Sequence, residues 1–296
     1  MDTTIFVTGA TGNQGGAVAR HLLFNNFKVK ALTRHQNSEA AVRLQKAGAE
    51  VVQGDLNDPS SFKKHLQDVA GLFSVQTFTD GTEKEIKQGK MLIDLSKEYN
   101  IPHFVYASVK GADLSTGIPH WESKFIIENY LKKSGISYTI LRPSSLFENF
   151  LIPDVCSRIL KGKLVSPINK DIRQQFISAD DIGKIVVKVF SDSLKYKDQV
   201  IELASEEMDQ QQAAAVFSEV LGKKITYQKL PMIITRLVMG KDLYKMFRWI
   251  NRNLTTTSTQ QLLAFNQAYP DSFTLKKWVQ SKFIGEKLFT HQKEIL

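Results

Sequence analysis

Residues 4–16 read TIFVTGATGNQGG and decide the fold. The stretch opens with three apolar residues, which are typical of a buried parallel strand. Glycines follow at Gly9, Gly12 and Gly15, and an amphipathic helical run occupies residues 17–23. A strand, a glycine-rich turn and a helix in this order form the context in which a dinucleotide-binding motif is credible.

Each glycine of this turn has a distinct physical role. Gly9 lets the chain turn sharply off the strand, and Gly15 lets the helix pack close to it. Gly12 has no Cβ, so its backbone can approach a pyrophosphate. The helix N-terminus offers unpaired N–H groups and a partial positive charge to an anion. The pattern therefore favours a dinucleotide site over a glycine-rich turn without a ligand.

Composition sets broad limits on the class of protein. The chain has 296 residues, of which 42% are hydrophobic, enough to bury the core of one large domain or of a domain with a smaller lobe. Cys156 is the single cysteine, which favours a reducing compartment. We see no secretory signal and no apolar run near the ~20 residues that span a bilayer, so we predict a cytoplasmic protein without a membrane segment. The net charge of +9 favours anionic ligands.

Alternating strand and helix patterns predict the architecture. From residue 28 to residue 141 they indicate an α/β fold, a Rossmann-type doubly wound parallel sheet. After Pro143 the rhythm changes. We therefore predict a dinucleotide-binding domain over residues 1–150, with residues 174–204 returning to its sheet, and a smaller, mostly helical substrate or partner lobe over residues 151–296.

The end of the second predicted strand bears on the choice of cofactor. NAD sites usually place an acidic residue there, whereas NADP sites place a cation. Residues 28–38 contain no Asp or Glu, and Arg34 stands in the expected position. A guanidinium suits a 2′-phosphate, so we favour this role over a solvated surface arginine.

Two further loops follow strands at the edge of the sheet where ligands bind. Asp55, beside Leu56, could accept from an adenine amino group, or this segment could simply form a helix-entry turn with Asp58 as its cap. Gln76, Thr77 and Phe78 follow the fourth strand and are expected beside the nicotinamide ribose.

The segment His120–Lys124 departs from a familiar pattern. Short-chain dehydrogenases and reductases place Tyr-x-x-x-Lys here, the tyrosine giving a proton and the lysine holding the nicotinamide ribose. This chain keeps Lys124 but has His120 in place of the tyrosine. Histidine can be a general acid near neutral pH. We favour a helix-start histidine that transfers no proton, with Lys124 binding ribose.

The basic stretch 223–252 has two interpretations. Eight Lys or Arg with interleaved aromatic residues could form a surface for nucleic acid or an acidic partner. However, Leu243, Met246, Phe247 and Ile250 follow helical spacing, with the cations largely on the other side. We favour the solvated face of a packed helix. The scattered histidines and the single cysteine predict no metal site.

Several motifs together resemble one known family. They are Gly9–Gly16, Thr33–Arg34, Gln53–Asp55, Glu85–Lys90, His120–Lys124, Arg142–Pro143 and Phe147–Asn149. From Thr4 to about Phe283 the chain resembles the NmrA-like family of atypical short-chain dehydrogenases/reductases, and it is most similar to the branch with the human NmrA-like redox sensor.

The resemblance implies a cofactor and its contacts. The cofactor is NADP(H), held by Gly9, Ala10, Thr11, Gly12, Asn13, Gln14, Gly15, Arg34, Asp55, Leu56, Gln76, Thr77, Phe78, Lys87, Lys124, Leu146, Phe147, Glu148 and Asn149. If the chain is an enzyme, it is an NADPH-dependent oxidoreductase with Lys124 and His120 as the catalytic candidates.

The family also divides by function. Some members transfer hydride to quinone-like or related substrates, whereas others bind NADP(H), lack the tyrosine and contact a regulatory protein partner. The missing tyrosine favours a cofactor-responsive redox sensor with little or no turnover. The alternative is an NADPH-dependent reductase of a quinone- or enone-like small molecule. The sequence leaves open whether the chain forms a homodimer.

Overall fold

The glycine turn joins the first strand to the first helix of a parallel sheet. This was established from a computed structural model, which describes residues 3–252 and 259–284. The predicted lobe 151–296 therefore includes two stretches, 253–258 and 285–296, that lie outside the described residues.

The strands and helices are short and alternate along the first half of the chain. The strands are β1 Thr4–Val7, β2 Lys28–Thr33, β3 Glu50–Gln53, β4 Gly71–Ser74, β5 Phe104–Ala107, β6 Tyr138–Pro143, β7 Ser145–Leu146, β8 Lys163–Ser166, β9 Gln174–Ile177, β10 Gln199–Leu203, β11 Glu206–Met208 and β12 Thr226–Lys229. The helices are α1 Asn13–Phe24, α2 Glu39–Lys46, α3 Thr82–Glu98, α4 Pro119–Lys133, α5 Pro153–Leu160, α6 Ala179–Ser191, α7 Gln210–Leu221, α8 Met232–Arg252, α9 Thr259–Ala268 and α10 Leu275–Val279.

The main sheet has seven strands in the order β10-β6-β5-β4-β1-β2-β3. Every neighbouring pair in it is parallel. The order reverses beside β1, whose neighbours are β2 and β4. In open α/β sheets of this kind, ligands bind outside the carboxyl ends of the strands at that switch point. The predicted fold class, a Rossmann-type doubly wound sheet, is confirmed.

The chain divides into two units. The first contains Met1–Pro143 and Ala179–Leu203, and the second contains Ser144–Ser178 and the residues from Ala204 onward. In the first unit, β4 and β5 are buried along their whole length, as strands covered on both faces should be. Helices α1 and α6 pack closely because Gly183 has no side chain; a Cβ there would lie 2.9 Å from the Ala17 carbonyl oxygen.

The second unit has its own core, which is rich in aromatic side chains. The rings of Phe147 and Phe176 stack with centroids 5.7 Å apart, and Phe150 and Trp278 lie next to them. This unit contains helices α5, α7 and α10, a three-stranded sheet in the order β11-β9-β7 and a two-stranded sheet, β12-β8. Aromatic pairs of this kind contribute about 0.5–1.5 kcal/mol beyond the area they bury.

Three local predictions are corrected by the structure. Of the predicted return 174–204, only α6 and β10 belong to the first unit; β9 pairs instead with β7 and β11. The first stretch of the Rossmann domain ends at Pro143, seven residues before the predicted 150. The helix predicted after Asp58 consists of two single 3-10 turns, 59–61 and 63–66. Strand and cap patterns indicate a local conformation, but they do not say which sheet a strand joins or how far a turn continues.

Helix α8 has the amphipathic pattern that the sequence predicts. Ile250 is buried with Ile168 and Ile172, and Met246 packs against them, whereas the side chains of Lys241, Lys245, Arg248 and Arg252 are exposed. A kink at Gly240, whose φ is 81°, separates this part from the first turns of the helix. Within residues 3–252 and 259–284, no helix combines the length and the apolar character needed to cross a membrane.

Candidate functional site

The glycine turn has the geometry of a phosphate-binding loop. Gly9 has a φ of 59°, which a residue with a side chain rarely adopts, and its carbonyl accepts from the Gly12 N–H at 2.9 Å. A Cβ on Gly15 would lie 2.4 Å from the Gly9 carbonyl oxygen, so only glycine fits there. A Cβ on Gly12 would meet only that same oxygen, at 3.4 Å. The space in front of Gly12 is therefore open.

Helix α1 presents its first N–H groups without a side-chain cap. Gly12 is the N-cap residue, and the first turn contains no acidic residue. Unpaired N–H groups together with the helix dipole create a site for an anion. Beside them, Gln14 Oε1 is buried and has no hydrogen-bond partner within the described part of the chain.

The loop after β4 is hydrogen-bonded to the glycine turn. Thr8 Oγ1 accepts from the Val75 N–H at 2.9 Å and donates to the Val75 carbonyl at 3.0 Å, which ties the glycine turn to the end of β4. Gln76 donates from Nε2 to Ser74 Oγ at 2.7 Å, while its Oε1 is buried without a partner among the residues described. Buried amide oxygens are normally satisfied, so Gln14 and Gln76 retain acceptors that a ligand could use.

Arg34 and Asp55 lie at the ends of neighbouring strands. Arg34 directly follows β2, and its side chain is exposed. Asp55 Oδ1 accepts from the Asn57 backbone N–H at 2.8 Å and from Asn57 Nδ2 at 3.0 Å. Asp58 caps the following turn through the Ser60 N–H. The turn role and a ligand role for Asp55 are compatible, because Asp58 supplies the cap.

His120 is almost enclosed by aromatic side chains. Its ring stacks on Phe78 with centroids 4.4 Å apart and an interplanar angle of 19°, and the ring of Trp121 meets it edge-on at 6.4 Å. Only 5% of His120 is exposed. The structure thus brings together two residues that the sequence places in separate motifs, Phe78 after β4 and His120 in α4.

Lys124 is paired with the carboxylate of Glu85, which is not among the predicted site residues. Lys124 Nζ donates to Glu85 Oε1 at 2.6 Å, and Ser123 Oγ donates to Glu85 Oε2 at 2.5 Å. Glu85 is fully buried in α3. The sequence feature that could have pointed to Glu85 is the motif Glu85–Lys90, in which we expected Lys87 to contact the cofactor. On the helix, however, Lys87 is exposed and Glu85 faces the core.

A second buried carboxylate lies one helical turn farther along α4. Glu128 accepts from Ser108 Oγ at 2.5 Å and from Arg142 Nε and Nη2 at 2.9 and 2.7 Å, and Arg142 also donates to Asp113 at 2.6 Å. Burial lowers the pKa of the Arg142 guanidinium, but the hydrogen bonds to Glu128 and Asp113 outweigh it and raise that pKa above its ordinary value. Arg142 therefore stays charged.

A buried phenol lies near enough to both carboxylates to be influenced by their charges. Tyr106 is fully enclosed, and its hydroxyl has no partner within the described residues. Burial, and then the charges of Glu85 and Glu128, raise the pKa of Tyr106 well above its ordinary value. Tyr106 therefore stays neutral at physiological pH.

The last predicted contact group belongs to the second unit. Phe147 is fully buried in the aromatic core, and Glu148 Oε1 accepts from Trp278 Nε1 at 3.2 Å. Leu146 is partly buried and Asn149 is exposed. The side chains of Phe147 and Glu148 are thus used in packing. Among the described residues, no group of three or more His, Cys, Asp or Glu is arranged to hold a metal ion.

These features fit a bound dinucleotide. The loop has an open backbone at Gly12 and an uncapped helix N-terminus behind it. Two buried amide oxygens beside it have no hydrogen-bond partner in the described part of the chain. A pyrophosphate would accept from the N–H groups of α1, and the amide side chains could turn toward polar groups of the ligand.

Comparison with known proteins identifies relatives that match most of the chain. The model of the NmrA-like family matches residues 1–278. The NmrA-like family domain-containing oxidoreductase FrzB from Cladobotryum sp. is 32% identical over 257 residues, covering 77% of this chain and 76% of that protein.

Solved structures share the fold. The structure of NmrA, a negative transcriptional regulator, in complex with NADP has a TM-score of 0.78 at 21% identity and covers 98% of both chains. The NADPH-dependent quinone oxidoreductase QOR2 from Escherichia coli, complexed with NADPH, has a TM-score of 0.76 at 24% identity, covering 94% of this chain and 99% of that one. Both were solved with the nicotinamide cofactor bound, and one is a regulator while the other is a reductase.

Proposed function

Because this chain belongs to the NmrA-like family, we propose that it binds NADP(H) and acts as a cofactor-responsive redox sensor with little or no turnover. In this proposal the phosphates lie on residues Gly9–Gly15 and Arg34 receives the 2′-phosphate. Asp55, Leu56 and residues 76–78 line the adenine and nicotinamide ends. Lys87, Lys124 and residues 146–149 remain predicted contacts.

The proposal of low turnover is supported by the environment of His120. A residue that protonates a substrate must reach it directly or through one water. The His120 ring lies flat on Phe78 and is only 5% exposed, in the place where the resemblance implies a tyrosine. Lys124, four residues later, has its charge compensated by Glu85. Bound NADPH would supply a hydride, but neither side chain is arranged to supply the accompanying proton.

The rest of the proposal concerns the setting of the protein. A sensor needs a partner that distinguishes the cofactor-bound state, so the partner must bind the two states with different free energies. We propose a regulatory protein partner in the cytoplasm, with no role for nucleic acid, and a homodimer as one form of the assembly.

A second candidate function is supported by a relative. FrzB, at 32% identity, is an NmrA-like oxidoreductase, and QOR2, which shares the fold, is an NADPH-dependent quinone oxidoreductase. The chain could therefore reduce a quinone- or enone-like small molecule.

The two candidates are separated by NADPH consumption with a panel of quinones and enones. The sensor proposal expects turnover far below the ~10 s⁻¹ typical of enzymes, together with clear NADPH binding. Turnover near that value with any substrate would establish the reductase, and its loss in His120→Phe would identify His120 as the general acid.

A further inference from the structure

We propose that Glu85 is a positioning residue that orients Lys124 for the nicotinamide ribose. This inference rests on the proposed NADP(H) function, since Lys124 is the predicted ribose contact. It adds a residue from another helix whose effect is confined to the nicotinamide half of the cofactor.

Within the described residues, the side-chain hydrogen bonds of Glu85 go to α4. Its two carboxylate oxygens accept from consecutive residues, Ser123 at 2.5 Å and Lys124 at 2.6 Å. Glu85 is fully buried and Lys124 is 8% exposed. A buried charge without a partner is strongly unfavourable, so the two charged groups are held together. Of the three ammonium protons of Lys124, one is directed to Glu85, and two remain for other acceptors.

Packing one turn farther along fixes the helix pair. A Cβ on Gly89 would lie 2.7 Å from Ile127 Cδ1, so the absence of a side chain lets α3 and α4 come close together. Beside it, Gln88 Nε2 donates to Asn57 Oδ1 at 3.0 Å. Glu85 is four residues before Gly89, and Lys124 is three residues before Ile127. The apolar contact therefore sets the register in which the carboxylate meets the ammonium group.

This arrangement gives the motif Glu85–Lys90 a structural role that does not depend on Lys87. Three residues of the motif face inward: Glu85 toward Lys124, Gln88 toward the loop after β3 and Gly89 toward Ile127. Lys87 faces outward. Removing the carboxylate should leave Lys124 free to adopt other rotamers, and ordering it again on binding costs affinity.

The test compares two ligands. NADPH contains the nicotinamide ribose, whereas adenosine 2′,5′-bisphosphate consists of adenosine with a 2′- and a 5′-phosphate and lacks the nicotinamide ribose. We expect Glu85→Gln to weaken NADPH binding about tenfold by calorimetry, the size of one charge-assisted hydrogen bond, and to leave the bisphosphate within about twofold. Lys124→Met should do the same, and the double variant should lose no more than either single variant. Glu83→Gln, an exposed acid in the same turn of α3, is the matched control.

The outcomes are distinguishable. If the unaltered protein binds neither ligand, the proposed function fails. If it binds both, and Glu85→Gln either weakens both equally or changes neither, the positioning role is refuted. Should Glu85→Gln not fold, Glu85→Asp retains the charge with one methylene less reach. It should weaken NADPH selectively by about threefold, and unchanged NADPH binding by this variant would overturn the inference.

Discussion

The glycine turn and the α3–α4 pair lie in the same unit but differ in whether their buried polar groups have hydrogen-bond partners. At the turn, the N-terminus of α1 has no side-chain cap, and the buried oxygens of Gln14 and Gln76 lack partners within the described residues. In α3 and α4, the buried carboxylates of Glu85 and Glu128 are each satisfied by two or more donors.

The difference shows which part of the unit is prepared for a ligand. Unsatisfied buried groups are costly, so a protein retains them where a ligand supplies the missing partner. Saturated charge networks instead hold helices in register. We therefore expect substitutions around Glu128 to act on stability, and substitutions at the turn to act on binding. The proposed effect of Glu85 on NADPH binding acts through Lys124 alone.

The largest effect is expected in the saturated region. Arg142→Met would leave Glu128 buried without the guanidinium that donates two hydrogen bonds to it. Breaking a buried pair in this way costs about 3–5 kcal/mol of unfolding free energy, measured by urea denaturation. Lys132→Met is the control: Lys132 lies 3.5 Å from the same carboxylate but is partly exposed, so a loss below about 1 kcal/mol is expected. Equal midpoints for the two variants would contradict the comparison.

A second test uses pH on another buried polar group. Burial lowers the pKa of His103 from 6.5 to about 4, with Asp198 opposing part of the shift. Between these values the unfolded chain binds a proton that the folded chain does not. His103 should therefore not reduce the free energy of unfolding above pH 6.5. That free energy should fall by about 3 kcal/mol as the pH decreases to 4.

Urea midpoints at several pH values measure this slope. His103→Asn should flatten it, whereas His65→Gln, which alters a surface pair with Glu50, should not. A wild-type profile with no decrease below pH 6.5 would show that His103 is protonated in the folded state.

At the glycine turn, two neighbouring glycines should respond differently. Gly12→Val fits the fold, because its Cβ meets only one atom, at 3.4 Å, but the side chain would occupy the space for a pyrophosphate. We expect NADPH affinity to fall at least about 100-fold, ~2.7 kcal/mol, with little change in melting temperature. Gly15→Ala places its Cβ 2.4 Å from a backbone oxygen and should lower the melting temperature itself. Normal NADPH binding by Gly12→Val would show that the turn does not hold the phosphates.

The smallest expected effect distinguishes the two cofactors. Arg34→Ala should remove about 1.5–3 kcal/mol from NADPH binding, one to two decades in Kd, and leave NADH nearly unchanged. Arg43→Ala, an exposed arginine of α2 paired with Glu39, is the control for general charge effects. Equal losses for NADPH and NADH would refute the 2′-phosphate role of Arg34.

The sequence predicted the strands and helices of the first unit well because each prediction depended on residues close together in the chain. The order of strand, glycine turn and helix indicated the sheet. Ser38, directly before α2, caps that helix by accepting from the Ala41 N–H. The partners of buried charges are not local. Lys124 lies 39 residues from Glu85, and Arg142 lies 14 residues from Glu128. Local sequence patterns indicate which helix or strand each of these residues belongs to, but they do not say which charge on another element it meets.

Taken by itself, the sequence determined the Rossmann-type sheet, the position of the glycine turn and the absence of an acid after β2, because each depends on residues within a few positions of one another. Tertiary structure decided the pairing of Lys124 with Glu85, the stacking of His120 on Phe78 and the placement of β9 outside the main sheet. These depend on which surfaces meet when the helices and strands pack. A buried carboxylate needs a partner wherever the chain brings one, and that choice is made only when the elements come together.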